Sequence, residues 1–216
     1  MKIKDLKIVT IFLLTIFLTF TSCKDEQKEA DKARVEAERV EMESAKKAEQ
    51  ERLEREAKEN AAKEEARANS ITGKAMKNED LTTLVTALQS ADLTNMLSEP
   101  GNYTVFAPSN HAFEKLPEKK REELMKPENK QMLKEVLQYH VLPGKISPEQ
   151  LADAIKNNKG SYKVKTVKGD ELTLMMDGDQ YVIKDATGKK AQVVLGNQPA
   201  SNGVVYVIDT VLMSKK

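Results

Sequence analysis

The chain has 216 residues and is almost neutral, with 35 Lys and Arg against 34 Asp and Glu and a formal charge of +1. This balance gives no reason to expect a nucleic-acid partner, which would favour a strongly basic protein. A single cysteine excludes an intramolecular disulfide and a cysteine-based metal cluster. The composition changes along the chain, from an apolar start through a charged stretch to a mixed, globular part.

Residues 1–22 have the pattern of a cleaved signal peptide. Lys2, Lys4 and Lys7 form a basic start, and an apolar run covers residues 8–20. A helix over that run would reach roughly 20 Å at ~1.5 Å per residue, which is short of the ~30 Å hydrocarbon core of a bilayer. The length therefore favours a signal peptide over a membrane span.

Cys23 follows two small residues, and Phe20–Cys23 (FTSC) resembles a bacterial lipobox with Phe20 at the place where Leu is usual. The resemblance implies that Cys23 becomes the first residue of the mature chain and carries acyl chains, several of which give stable membrane anchoring. The alternative is an ordinary signal peptide and an incidental cysteine.

Lys24-Asp25-Glu26 resembles the surface-export signal of lipoproteins from Bacteroidetes-type bacteria. It implies display on the cell surface, anchored in the outer membrane. The alternative is the first turn of a charged helix, which would leave the domain on the periplasmic face of that membrane.

Residues 23–69 predict a charged helical spacer. The stretch from 25 to 69 lacks Gly and Pro and is rich in strong helix formers. Pairs with Glu first recur at helical spacing, at Glu43/Lys47, Glu51/Arg55, Glu54/Lys58 and Glu59/Lys63. A heptad seam from Ala30 to Val40 is lost near Ser44, so a single solvated helix is favoured over a coiled coil. A partly disordered charged linker is the alternative.

Residues 70–216 predict one domain that mixes α and β structure. Apolar stripes at helical spacing predict helices over 81–88, 93–97, 109–116, 127–138 and 147–155, with short strands at 103–106 and 139–142. Ser109 is expected to cap its helix, and Ser147 with Gln150 forms a capping box in outline.

From Ser161 the apolar pattern changes to a period of two. Strands are predicted at 162–166, 172–176, 181–183, 192–195 and 204–208, separated by turns at 168–170, 177–179 and 187–188. The domain therefore has helices first and an antiparallel sheet afterwards, with the last strand returning to the core.

Three segments of this domain resemble the signatures of the fasciclin (FAS1) family. They are residues 103–113 (YTVFAPSNHAF), 136–144 (VLQYHVLPG) and 201–212 (SNGVVYVIDTVL). The resemblance covers the globular part and implies a compact β-wedge or sandwich flanked by short helices, with an extracellular adhesion or matrix-binding role. Tyr206 departs from the family, which often has His there, and Ser109 replaces a frequent Thr.

The candidate binding residues are Tyr139, His140 and Asn110. In some animal members of the family the Tyr-His pair is linked to integrin-type binding, but a buried, hydrogen-bonded pair is the favoured interpretation. Asn110 is expected to brace a turn. His111 is expected to be exposed, and Asn202-Gly203 and the Gly-Asp turns at 169–170 and 178–179 are interpreted as turn chemistry.

The sequence carries no Walker A, G-x-S-x-G, H-E-x-x-H or dinucleotide motif, so we expect no enzyme, cofactor or metal site. The first hypothesis is a membrane-anchored surface module for adhesion to an extracellular protein or glycan. The second is a periplasmic structural envelope lipoprotein in which the helix is the working spacer. An enzyme built on dispersed carboxylates is the third.

Overall fold

A computed structural model of the chain describes residues 26–215. The predicted signal peptide and the predicted lipidation at Cys23 lie outside these residues. The chain divides into two units, Met1–Ala57 and Lys58–Lys216. Across residues 26–215, no helix has both the length and the apolar character that a membrane crossing requires.

The charged stretch forms one helix, α1, from Glu26 to Ala68, as the sequence predicts. Every residue from 29 to 68 is exposed, so packing contributes little and intrahelical pairing matters. Of the predicted pairs, Glu51–Arg55 lies at 3.8 Å and Glu59–Lys63 at 2.6 Å. Such exposed pairs each contribute a few tenths of a kcal/mol to the helix.

Within the second unit, the last turn of α1 is attached to the segment before the last strand by polar contacts. Ser201 Oγ donates to the carbonyl of Ala66 at 2.6 Å, and the Ser201 N–H donates to the carbonyl of Asn69 at 2.8 Å. Ser70 then caps the next helix by accepting from the N–H of Gly73. A side chain at Gly73 would lie 2.5 Å from the Ala68 carbonyl oxygen, so this sharp junction requires glycine.

The second unit contains short helices and seven strands. The helices are α2 (Ile71–Met76), α3 (Thr82–Ser90), α4 (Asn110–Glu114), α5 (Glu118–Met125), α6 (Lys130–Tyr139) and α7 (Pro148–Asn157), with 3₁₀ turns at Glu79–Leu81 and Pro127–Asn129. The strands are β1 (Tyr103–Pro108), β2 (Val141–Pro143), β3 (Ser161–Lys165), β4 (Glu171–Asp177), β5 (Gln180–Lys184), β6 (Lys190–Ala200) and β7 (Gly203–Ile208).

The seven strands form one sheet in the order β2-β1-β7-β6-β5-β4-β3. The β1–β7 pair is parallel and the other pairs are antiparallel. The last strand lies between β1 and β6 and is buried along its whole length, so it returns to the core as predicted. The sheet curls until its two edges approach, and the Val167 N–H donates to the carbonyl of Val141 at 2.7 Å. One apolar cluster lies under the helices, and a second, which includes Phe106 and Leu174, lies inside the curl.

The helix prediction for 93–97 and the strand prediction for 139–142 were wrong in part. Residues 91–98 form turns, because Asp92 has a φ of +53° and ends regular structure there, although Leu93 and Leu97 are buried as expected. Tyr139 ends α6, His140 follows it, and β2 begins at Val141. Short apolar runs do not distinguish a helix end from a strand, and no Gly or Pro marks this boundary.

Candidate functional site

Tyr139 and His140 lie inside the domain, with 0% and 2% of their surfaces exposed. The Tyr139 hydroxyl donates to the carbonyl of Glu171 at 3.0 Å and accepts from the N–H of Ala186 at 2.9 Å. It therefore ties the end of α6 to the hairpins of the antiparallel half of the sheet. Burial raises the pKa of the Tyr139 phenol.

The His140 ring is fixed in one tautomer by its two neighbours. Nδ1 lies 2.7 Å from the carbonyl of Val136 and donates to it, while Nε2 accepts from the N–H of Leu212 at 2.9 Å. This arrangement needs a neutral ring, because a protonated Nε2 could not accept. Burial lowers the pKa of His140 to about 4.

The segment that follows β7 is held by three groups from different parts of the fold. Besides the bond to His140, the N–H of Met213 donates to Asp185 Oδ2 at 3.0 Å, and Lys168 Nζ donates to Ser214 Oγ at 2.6 Å. His140 thus helps to hold this segment by buried hydrogen bonds, and Tyr139 precedes it in the core. An external partner could touch the two side chains only after local opening of the domain.

Asn110, by contrast, is half-buried at the start of α4. Its Oδ1 accepts from the N–H of Thr83 at 2.9 Å, and its Nδ2 donates to the carbonyl of Glu79 at 2.9 Å. The side chain braces the turn that leads into α3. The neighbouring His111 is exposed and lies 3.4 Å from Glu114.

The sequence predicted a turn at Asn202 but not the buried hydrogen bonds of its side chain. It is 2% exposed and accepts from the N–H of Ile71 at 2.8 Å. Its amide donates to the carbonyls of Leu97 and Glu99 at 2.8 and 2.9 Å. An Asn-Gly pair predicts a turn whether or not the amide is buried, so no sequence signal separates the two cases.

The Gly-Asp turns form ordinary connections. Gly169 and Gly178 have φ angles of +98° and +60°, and Lys168 Nζ lies 2.8 Å from Asp170 within its own turn. Asp209, after β7, accepts from the N–H of Gln192 at 2.8 Å and pairs with Lys115 at 2.9 Å. Within residues 26–215, no group of three or more His, Cys, Asp or Glu side chains could hold a metal ion.

An open cleft lies beside β6, and this strand carries two irregularities opposite β7. Val193 pairs with Ile208, Leu195 with Val207 and Gln198 with Val205, so β6 has two extra residues. These bulges turn Val194 and Leu195 outwards, with 59% and 45% of their surfaces exposed. Both line an open cleft of about 470 Å³ with Asp80, His111 and other residues.

The curled sheet, its one parallel pair of strands (β1 and β7) and the helices packed on one side define a FAS1-type domain. The structure of a FAS1 domain pair from the insect cell adhesion molecule Fasciclin I matches with a TM-score of 0.61, over 67% of this chain and 51% of that one. The two are 18% identical, so the likeness is one of fold. The family model of the Fasciclin domain matches residues 79–214 of the sequence. The chain therefore belongs to the fasciclin family.

Proteins similar in sequence to this chain come from both bacteria and animals. Protein sll1483 of Synechocystis is 41% identical over 68% of this chain and 74% of its own length. Cell surface glycolipoprotein MPB83 of Mycobacterium bovis is 34% identical over 64% of this chain and 58% of its own. Human periostin is 26% identical over 66% of this chain, which covers 16% of periostin.

Proposed function

We propose that this chain is a lipid-anchored surface protein whose FAS1 domain binds an extracellular protein or glycan, without catalysing a reaction. Acyl chains on Cys23 would hold it in the outer membrane, and α1 would space the domain from the lipid. The lipobox-like residues support the anchor. The relative MPB83 supports surface display, because it is named a cell surface glycolipoprotein and its sequence is similar to this domain.

The observation that carries the binding role is the apolar pair on β6. Val194 and Leu195 are large, adjacent and exposed on a strand that is otherwise part of a packed sheet. Folding alone would favour polar residues there, since water contacts both side chains. The chain has no Trp and 5% aromatic residues, so the usual stacking platform for sugars is weak, and a protein partner with an apolar anchor fits this patch better.

Replacing Val194 and Leu195 together with serine should weaken adhesion of expressing cells to a protein-coated surface by roughly tenfold, the effect of losing about 1.4 kcal/mol of binding. Stability should change by less than about 0.5 kcal/mol per site, because both side chains are exposed. The matched control replaces Val40 and Met76, which are comparably exposed apolar residues on α1 and α2. Equal loss of adhesion in both variants would contradict a role for the β6 patch.

The anchor and its orientation can be tested together on intact cells. Protease added outside should release the FAS1 domain from cells with a sealed outer membrane, and Cys23→Ala should move the protein out of the membrane fraction. Protection until the outer membrane is opened would place the domain in the periplasm. Membrane retention of the Cys23→Ala protein would contradict lipidation.

Protection from protease would favour the second candidate, a structural envelope lipoprotein. The feature that favours it is the exposed helix itself, in which Val35, Met42 and Leu53 recur at intervals of 7 and 11 residues and so return to one side. That stripe would support weak association between helices. Concentration-dependent sedimentation of the full chain in neutral detergent, lost when Met42 and Leu53 become serine, would be the expected result.

A further inference from the structure

The antiparallel half of the sheet carries a row of lysines on its outer face. In register across four strands lie Lys163 on β3, Thr173 on β4, Lys184 on β5 and Lys190 on β6. The adjacent row on the other face, which includes Leu174, Ile183 and Ala191, is buried in the core inside the curl. The three lysines are exposed and therefore extend from the same outer surface.

The charge on this face is almost unopposed. Lys165 lies on the same side of β3, two residues from Lys163, and Lys189 precedes Lys190 in the chain. Glu171 opposes Lys165 and lies 3.6 Å from Lys163. Within the described residues, no carboxylate lies within 4.0 Å of Lys184 or Lys190, although the whole chain is nearly neutral.

The lysine row destabilises the sheet. Lys184 and Lys190 are direct cross-strand partners, and like charges in that position are destabilising. Lysines on an edge strand can serve to block unwanted strand pairing, which accounts for those on β3. It does not account for Lys184 and Lys190, because β5 and the paired part of β6 lie inside the sheet. A charge cluster kept at a cost to stability is typical of a binding surface.

We propose that this lysine row binds an acidic polysaccharide, a site separate from the Val194–Leu195 patch. Neighbouring strands are about 4.8 Å apart, so a flexible polyanion crossing them meets ammonium groups in sequence. Lysine is a point charge without the bidentate geometry of arginine, and suits a ligand whose anionic groups are spread along a chain. Binding would depend strongly on salt because the site is exposed.

The composition of the face disfavours other polyanions. Protein interfaces are enriched in aromatic residues and depleted in lysine, whereas this row has no aromatic member. Single-stranded nucleic acids stack on aromatic rings, but Tyr162 lies in register with the buried row on the other side of β3. A carboxylated or sulfated polysaccharide needs neither an apolar centre nor stacking.

The test is binding of the full chain, in a neutral detergent, to polygalacturonate, with neutral dextran as the blank. Changing Lys163, Lys184 and Lys190 to Gln should weaken binding at least tenfold, and raising NaCl from about 50 to 300 mM should do the same to the wild type. The control changes Lys119, Lys120 and Lys126, which are exposed on and beside α5, and should stay within about twofold.

A second variant separates binding from folding. Lys190→Glu creates an opposite-charge pair with Lys184, so its thermal midpoint should rise while its affinity for polygalacturonate falls. Equal binding by the triple variant and wild type would overturn the proposal. So would equally tight binding of polyglutamate of matched length, since an acidic protein would then fit as well. Because purified protein is used, either failure leaves surface display and the β6 patch untouched.

Discussion

Changing His140 to alanine should lower the free energy of unfolding by about 3–5 kcal/mol. The substitution removes a fully buried ring and leaves the N–H of Leu212 without its acceptor. An unsatisfied buried donor costs about 1–3 kcal/mol, and the cavity left by the ring adds to that cost. Release of the segment after β7 would follow, because His140 is one of the groups that hold it.

Urea unfolding of the full chain in neutral detergent measures this effect. The matched control is His111→Ala, since the His111 side chain is exposed and its ring lies 3.4 Å from the exposed Glu114 carboxylate. That variant should stay within about 0.5 kcal/mol of the wild type. If the His140 variant were as stable as the control but failed to adhere, the residue would be a binding residue reached by local opening.

The same histidine makes stability depend on pH in a defined direction. Its pKa is lowered from 6.5 to about 4 in the folded state by burial. Between these values the unfolded chain binds more protons, so the contribution is complete above pH 6.5 and is lost as pH falls towards 4. The loss is about 3 kcal/mol at ~1.36 kcal/mol per pKa unit.

Asp and Glu carboxyl groups ordinarily titrate near the lower end of this range, so the effect of His140 is measured as a difference between variants. The glutamine in His140→Gln does not titrate, so this variant lacks the pH-dependent loss that His140 causes. The difference in unfolding free energy between the wild type and the variant should therefore shrink by about 3 kcal/mol between pH 7 and pH 4. A constant difference between the two proteins over that range would mean that His140 titrates near its ordinary pKa in the folded state.

The fold was largely predictable because its signals are local and repeated. Alternating residues in 162–166 specified the faces of β3, and the absence of Gly and Pro specified α1. The errors lie where the backbone changes direction without Gly or Pro, at Asp92 and at Tyr139. There the outcome depends on distant contacts, such as the bond from the Tyr139 hydroxyl to Glu171.

The candidate binding surfaces were less predictable, for a different physical reason. Net charge averages over the chain, so a value of +1 concealed a row of lysines that only strand register brings together. The exposure of Val194 and Leu195 depends on bulges in β6, and the alternating pattern of the sequence does not reveal where an extra residue will be inserted. Register and bulges are tertiary properties, and both surfaces depend on them.

Asn202 provides the second large expected effect, because its side chain joins the turn before β7 to two other parts of the domain. It holds the start of α2 through Ile71, and the turn before β1 through the carbonyls of Leu97 and Glu99. It also precedes Gly203, where a Cβ atom would lie 2.1 Å from the carbonyl oxygen of Tyr103. The backbone is therefore packed too closely for the chain to shift and restore lost hydrogen bonds.

Asn202→Ala should consequently destabilise the domain by about 3–4 kcal/mol, since it leaves one buried N–H and two carbonyls without this partner. Asn102→Ala is the control, because Asn102 is exposed and should tolerate the change within about 0.5 kcal/mol. Hydrogen exchange adds a local test: the amide of Ile71 should lose protection in the Asn202 variant, since its acceptor is gone. Unchanged protection at Ile71 would mean that water replaces the asparagine, and the loss of stability should then fall below about 1 kcal/mol.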